Sequence, residues 1–270
     1  MTTQDWKLRI HGMVDREITV DYASLSAGAL VERDVTLCCV SNEVGGDLIG
    51  NARWLGLPIG PLLQQAGPHP DADMVLSTSV DGWTAGTPLP VLTDGRDALL
   101  AIAMNGEPLP IEHGFPVRMV VPGLYGYVSA TKWVVDLEVT RFDKAQGYWT
   151  PRGWSALGPV KTESRIDVPQ DSATVKAGRV AVAGIAWAQH RGIKAVEVQV
   201  DGGAWQAATL GAEATVDTWR QWVFAWDATP GKHTLRVRST DGPGTPQTSQ
   251  VAPPAPDGAS GWHTIGVTVT

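Results

Sequence analysis

Short stretches of alternating apolar and polar residues run through the whole chain, and its two ends carry them differently. In residues 1–145 the apolar runs are brief and separated by loops rich in Gly and Pro, such as Gly56-Leu57-Pro58-Ile59-Gly60-Pro61 and Pro108-Leu109-Pro110. Apolar, β-branched runs bounded by turn residues predict strands at Trp6–Ile10, Val35–Val40, Met74–Val80, Val117–Val121 and Trp133–Thr140. One helix is expected at 61–67, where Pro61 suits a first turn and Gly67 suits a stop. These elements describe a mixed α+β domain with much irregular backbone.

Beyond about residue 165 the rhythm becomes strand, turn, strand. Val180 and Val182 alternate with small residues, and Val196, Val198 and Val200 alternate with Glu197 and Gln199. Asp201-Gly202-Gly203 offers a hairpin turn, because Asp and Gly accept the positive φ that such turns need. The stretches 219–226, 233–239 and 262–269 repeat the habit. Short strands spaced by turns over roughly 100 residues predict an all-β, immunoglobulin-like sandwich. Trp, Gly and Pro cluster at 148–159, which sets the expected domains at 1–158 and 159–270.

Composition narrows the class. The 270 residues are 43 % apolar and 18 % charged, a globular balance. A net charge of −7 argues against a nucleic-acid partner, which a basic stripe would signal. No apolar run approaches the roughly 18 residues of a membrane helix, and no basic-then-apolar signal segment opens the chain. The two cysteines, Cys38 and Cys39, are neighbours, too few for a disulfide framework or a four-cysteine zinc site. The six histidines are scattered without metal-ligand spacing. Common nucleophile-elbow, phosphate-loop, dinucleotide and haem-attachment patterns are absent.

Three stretches carry the candidate chemistry. In Thr36-Leu37-Cys38-Cys39-Val40-Ser41-Asn42-Glu43-Val44-Gly45-Gly46 an apolar strand delivers a cysteine to a polar, glycine-rich loop, and Asn51-Ala52-Arg53-Trp54 follows. A thiolate there could be stabilised by backbone N–H groups and an arginine, and soft sulfur favours transition metals over Mg or Ca. Two buried small hydrophobes at a strand end are the competing reading. The other stretches, 104–118 and 122–133, place His113, Arg118 and Lys132 around Gly/Pro loops. Arg gives a planar bidentate fork and Lys a point charge, a pair suited to phosphate. Solvated loop charges with a backbone-bonded histidine are the alternative.

Taken in series, the motifs resemble those of the sulfite oxidase family of molybdenum enzymes, over nearly the whole chain. Cys39-x-x-Asn42, Ala52-Arg53-Trp54-x-Gly56, Met104-Asn105-Gly106-x-Pro108-Leu109-Pro110, His113-Gly114-Phe115-Pro116-Val117-Arg118 and Lys132-Trp133 match in order and spacing. Pro159-Val160-Lys161, Gly184-x-Ala186-Trp187 and Trp262-His263 resemble the family's dimerisation domain, and the wording at 40–46 and 123–127 is most similar to the membrane-anchored bacterial branch. The resemblance implies a molybdopterin cofactor whose molybdenum is ligated by Cys39. It implies that His113, Arg118, Ser129 and Lys132 bind the pterin and its phosphate, with Asn42 and Arg53 lining the metal pocket. The implied reaction is oxygen-atom transfer to or from a small sulfur-type substrate, with electrons exchanged with a separate partner. A homodimer through residues 159–270 and a membrane anchor upstream of this chain are further implications. Cys38 would face away, since successive strand side chains point to opposite faces.

One position departs from the family. Sulfite-oxidising members carry a tyrosine two residues before Met-Asn-Gly, and this chain has Ile102, which neither donates a hydrogen bond nor relays a proton. That favours another oxygen-atom donor or acceptor, such as a sulfoxide, with Tyr125 or Tyr127 as replacement phenols. It also favours the alternative function, a non-catalytic binding or assembly module that keeps the fold.

Overall fold

The computed structural model describes all residues, Met1–Thr270. The chain forms two compact units: Met1–Val40 with Asn51–Pro159, and Ser41–Gly50 with Val160–Thr270.

In the first unit the strands are β1 (Lys7–Gly12), β2 (Ile18–Asp21), β3 (Val31–Cys38), β4 (Ile49–Pro58), β5 (Met74–Ser79), β6 (Thr84–Pro88), β7 (Leu99–Met104), β8 (Glu107–Pro108), β9 (Arg118–Val120) and β10 (Val134–Thr140). Three short helices intervene, α1 (Tyr22–Ser26), α2 (Ile59–Ala66) and α3 (Leu89–Thr93). One sheet has the order β2-β1-β10-β5-β6, with β1 and β10 parallel. The other has the order β3-β4-β7-β8, with β9 also paired to β7.

Local chemistry accounts for these elements. In β1, Leu8 and Ile10 are buried while Lys7 and Arg9 face solvent, the period of a half-buried strand. In α2, Ile59, Leu63 and Ala66 are buried at helical spacing, and Gly67 ends the helix at φ +72°, its N–H bonding the Leu63 carbonyl. Gly56 lets β4 approach β7: a Cβ there would lie 2.5 Å from the Leu100 oxygen. The main core gathers Trp6, Leu8, Ile10, Leu63, Met119 and Leu137, and a smaller cluster gathers Val35, Trp54, Leu99 and Val120.

The second unit is all strand beyond its loop: β11 (Glu163–Val168), β12 (Ala173–Val175), β13 (Gly178–Trp187), β14 (Ile193–Val200), β15 (Trp205–Ala207), β16 (Thr209–Leu210), β17 (Arg220–Ala228), β18 (Gly231–Asp241) and β19 (Thr264–Val269). Two sheets, β11-β13-β17-β16 and β12-β19-β18-β14-β15, make the sandwich. Strict alternation in β17 buries Trp222, Phe224, Trp226 and Ala228 against Leu235 and Val237 of β18 and Ile265 and Val267 of β19. The 201–203 turn has Asp201 at φ +51° and Gly202 at φ +72°, as a hairpin of this kind requires. The loop Ser41–Gly50, expected within the first domain, belongs instead to this second unit. No helix is long and apolar enough to cross a membrane.

Candidate functional site

A cavity of about 650 Å3 opens in the first unit, where the ends of several strands converge. Cys39 enters it from the end of β3, and Ser79, Asp81 and Trp83 from the turn joining β5 to β6. Arg118 comes from the start of β9, while Gly126, Tyr127, Ala130, Lys132 and Trp133 come from the connection leading into β10.

The two cysteines both line this cavity and differ in exposure. Cys38 closes β3 and is only 3 % exposed; its Sγ lies 3.5 Å from the carbonyl oxygen of Cys39. Cys39, one residue past the strand, is exposed, and both thiols are free. Cys38, expected to face away, thus also reaches the cavity wall, because the strand ends there and its last residue borders the opening; exposure, not facing, separates the two thiols.

Arg118 sets the electrostatics. It is 7 % exposed, yet its guanidinium meets only neutral acceptors: Nη1 donates to the His113 carbonyl at 3.1 Å, Nε to Met119 at 3.3 Å and Nη2 to Ala130 at 3.4 Å. The Trp54 ring lies 5.0 Å from the guanidinium carbon. Burial draws its pKa down to about 10, so it stays protonated at neutral pH. A buried cation without a carboxylate partner on a cavity wall leaves a net positive field facing the cavity. Lys132 adds a second cation, its Nζ donating to the Glu112 carbonyl at 2.8 Å above the Trp133 ring. Asp81 is the acidic group there, held below its ordinary value by the Ser79 hydroxyl and the Trp83 amide. Gly114, at φ +108°, allows the crowding: a Cβ would meet Arg118 Cβ at 2.9 Å and Lys132 Cβ at 3.1 Å.

Of the residues expected from sequence, Cys39, Arg118 and Lys132 therefore share one cavity. The other four lie elsewhere. His113 supplies its carbonyl to Arg118, with its side chain exposed. Ser129 is fully buried and donates its hydroxyl to the Tyr125 carbonyl at 2.9 Å. Asn42 closes its own loop, its Oδ1 accepting the Leu48 amide at 2.8 Å. Arg53, expected in the metal pocket, lines a separate cavity of about 340 Å3 with Glu32, Asp34 and Asn105, its Nε 3.3 Å from Asp34 Oδ1. Its neighbour Trp54 is the member of the pair that turns toward Arg118, so strand alternation sends Arg53 the other way.

Sequence reasoning missed Ser79, Asp81 and Trp83; Asp81-Gly82 ahead of an aromatic residue was the available signal. Ile102 is buried in the main core and does not line the cavity. Tyr127 does line it, with its hydroxyl donated to the Ser155 carbonyl at 2.7 Å.

Comparison with known proteins agrees with this architecture. Residues 1–149 match the family model described as "Oxidoreductase molybdopterin binding domain", and residues 163–237 match "Bacterial Ig domain". Mitochondrial sulfite oxidase of Mus musculus is 33 % identical over 238 residues, 71 % of this chain and 43 % of that protein. The Bacillus subtilis oxidoreductase YuiH is 33 % identical over 153 residues, 57 % of this chain and 74 % of that one. The crystal structure of the sulfane dehydrogenase SoxCD from Paracoccus pantotrophus superposes with a TM-score of 0.80 at 23 % identity, covering 92 % of this chain and 70 % of that one, a likeness of fold. The chain spans less than half the length of the mouse protein.

Proposed function

This chain belongs to the sulfite oxidase family of molybdopterin-binding oxidoreductases, and on that premise we propose that its Cys39 cavity holds the molybdenum cofactor for oxygen-atom transfer with a small sulfur-type substrate. The observation that carries the reading is the buried Arg118 guanidinium, charged and without an anionic partner, on the same cavity as an exposed thiol. A phosphate-bearing, sulfur-rich group suits that donor set: a fork and an ammonium for the phosphate, a thiolate for a soft metal.

In this reading Cys39 is the protein's ligand to molybdenum. Arg118 and Lys132 bind the pterin phosphate, and the His113 main chain orients Arg118 through its carbonyl. Ser129 acts indirectly, tying the 124–129 turn that presents Gly126 and Tyr127 to the cavity. Trp83, Trp133 and Tyr127 exclude water from its walls. When bound, the metal supplies the two-electron change that accompanies oxygen transfer, and the protein supplies placement and field. The absence of a tyrosine at Ile102 supports a sulfoxide or related oxygen donor in place of sulfite.

The same premise extends to the assembly. Residues 159–270 pair two chains, the molecule resembles the membrane-anchored bacterial branch, and electrons pass to or from a separate partner protein. Metal analysis of the full chain made in a host that synthesises the cofactor tests the central assignment. Near-stoichiometric molybdenum that is lost in Cys39→Ser and kept in Cys38→Ser is expected; no molybdenum in the parent protein would leave the non-catalytic module that Ile102 favours.

A further inference from the structure

The chain leaves the first unit after Val40 and rejoins it at Asn51, and the intervening loop is built into the second unit. The contacts that hold it there are specific. Arg165 Nη1 donates to the Gly46 carbonyl at 2.6 Å, while its Nε is fixed by Asp167 Oδ1, also at 2.6 Å. The His263 ring lies against Gly45, where φ is +79° and a Cβ would collide with the ring. That ring is itself oriented, its Nδ1 accepting the Ile166 amide at 3.0 Å. Inside the loop, Leu48 N–H donates to Asn42 Oδ1 and Gly46 N–H donates to the Glu43 carbonyl, both at 2.8 Å. The loop is thus clamped at its middle and closed at its base, and its base lies three residues beyond Cys39.

We propose that Arg165 and His263 are positioning residues which, through this loop, fix the backbone that presents the Cys39 thiol. The proposal rests on Cys39 being the working thiol of the site. Backbone entropy opposes the ordering of a loop of this length, and strand β3 ends at Cys38, so no ladder hydrogen bond holds the segment beyond it. Only Val40, which is buried, and Ser41 separate the thiol from the clamped loop. Without the clamp the segment 41–50 gains freedom that chain continuity passes directly to Cys39.

The test uses the full chain prepared in a host that makes no molybdopterin, so thiol behaviour is read independently of cofactor loading. Alkylation of Cys39 by iodoacetamide is followed by mass spectrometry, with Cys38 as internal control. Arg165→Gln and Gly45→Ala should each raise the Cys39 rate by about threefold or more and remove exchange protection from the Leu48 amide. Amides of Leu235 and Val237 in the second unit's core should keep theirs, and Arg165→Lys should restore part of the parent rate. An unchanged Cys39 rate in a variant whose Leu48 amide has lost protection overturns the proposal. So does a raised rate matched by equal loss at Leu235 and Val237, which marks general unfolding. If the parent chain fails to take up molybdenum when the cofactor is supplied, the functional reading falls, but a clamp-dependent Cys39 rate would stand.

Discussion

Arg118 in the first unit and Glu163 in the second are both buried charged side chains with no ion-pair partner, and the two are treated in opposite ways. Arg118 keeps its charge because its wall opens on a cavity and three carbonyls share its protons. Glu163 is buried in the second unit. Gln247 Nε2 donates to its Oε2 at 3.0 Å, Oε1 has no hydrogen-bond partner, and desolvation pushes its pKa up to about 8. A buried group that stays charged beside an open volume marks a place for a ligand of opposite sign. A buried group driven toward neutrality marks part of the scaffold.

The largest effect should come from the exposed thiol on Arg118's cavity. Cys39→Ser should reduce molybdenum per chain to background while Cys38→Ser leaves it near the parent value, read by elemental analysis. Equal loss in both would mean that the buried cysteine shares the role. Next comes the cation itself. Arg118→Ala should weaken cofactor retention by about 10- to 100-fold, as loss of charge-assisted hydrogen bonds worth roughly 1.5–3 kcal/mol implies. Lys132→Ala, removing a half-exposed point charge, should cost about fivefold or less. Equal retention in the two variants would erase the distinction drawn between fork and point charge.

On the scaffold side the consequence is a pH slope. The folded pKa of Glu163 lies above its ordinary value, so between about pH 4.5 and 8 the folded state holds a proton that the unfolded chain releases. Stability of the second unit should therefore fall as pH rises through that window, by at most about 1.4 kcal/mol per pH unit, and level off above pH 8. Glu163→Gln should remove the slope in urea titrations at successive pH values; an unchanged slope would show that another group carries it. The smallest effect belongs to Tyr127→Phe, which loses the bond to the Ser155 carbonyl. It should lower stability by about 1 kcal/mol, or roughly 2–4 °C in melting temperature.

The sandwich was the more legible region because its strands obey one rule. Alternation places Trp222, Phe224 and Trp226 in the core, and Asp-Gly-Gly writes its own turn. In the first unit, β1, β3, β5, β9 and β10 fall close to the strands read from β-branched runs. β4 escaped because Gly50, Asn51, Gly56 and Pro58 interrupt its pattern; its glycine serves close backbone approach, which periodicity does not encode. The membership of Ser41–Gly50 in the second unit depends on Arg165 and His263, more than a hundred residues away. Within the site, chemistry-bearing motifs identified Cys39, Arg118 and Lys132, while side-chain direction decided the rest. Arg53 and Trp54 are adjacent in sequence, and only the backbone shows which one faces Arg118.

On the proposed reading, Cys39 contributes a thiolate to molybdenum. X-ray absorption at the molybdenum edge of the loaded full chain tests it most directly, by counting sulfur neighbours. Three are expected, two from the cofactor's dithiolene and one from the protein, with the same count in Cys38→Ser. Two sulfurs in the parent protein would contradict it.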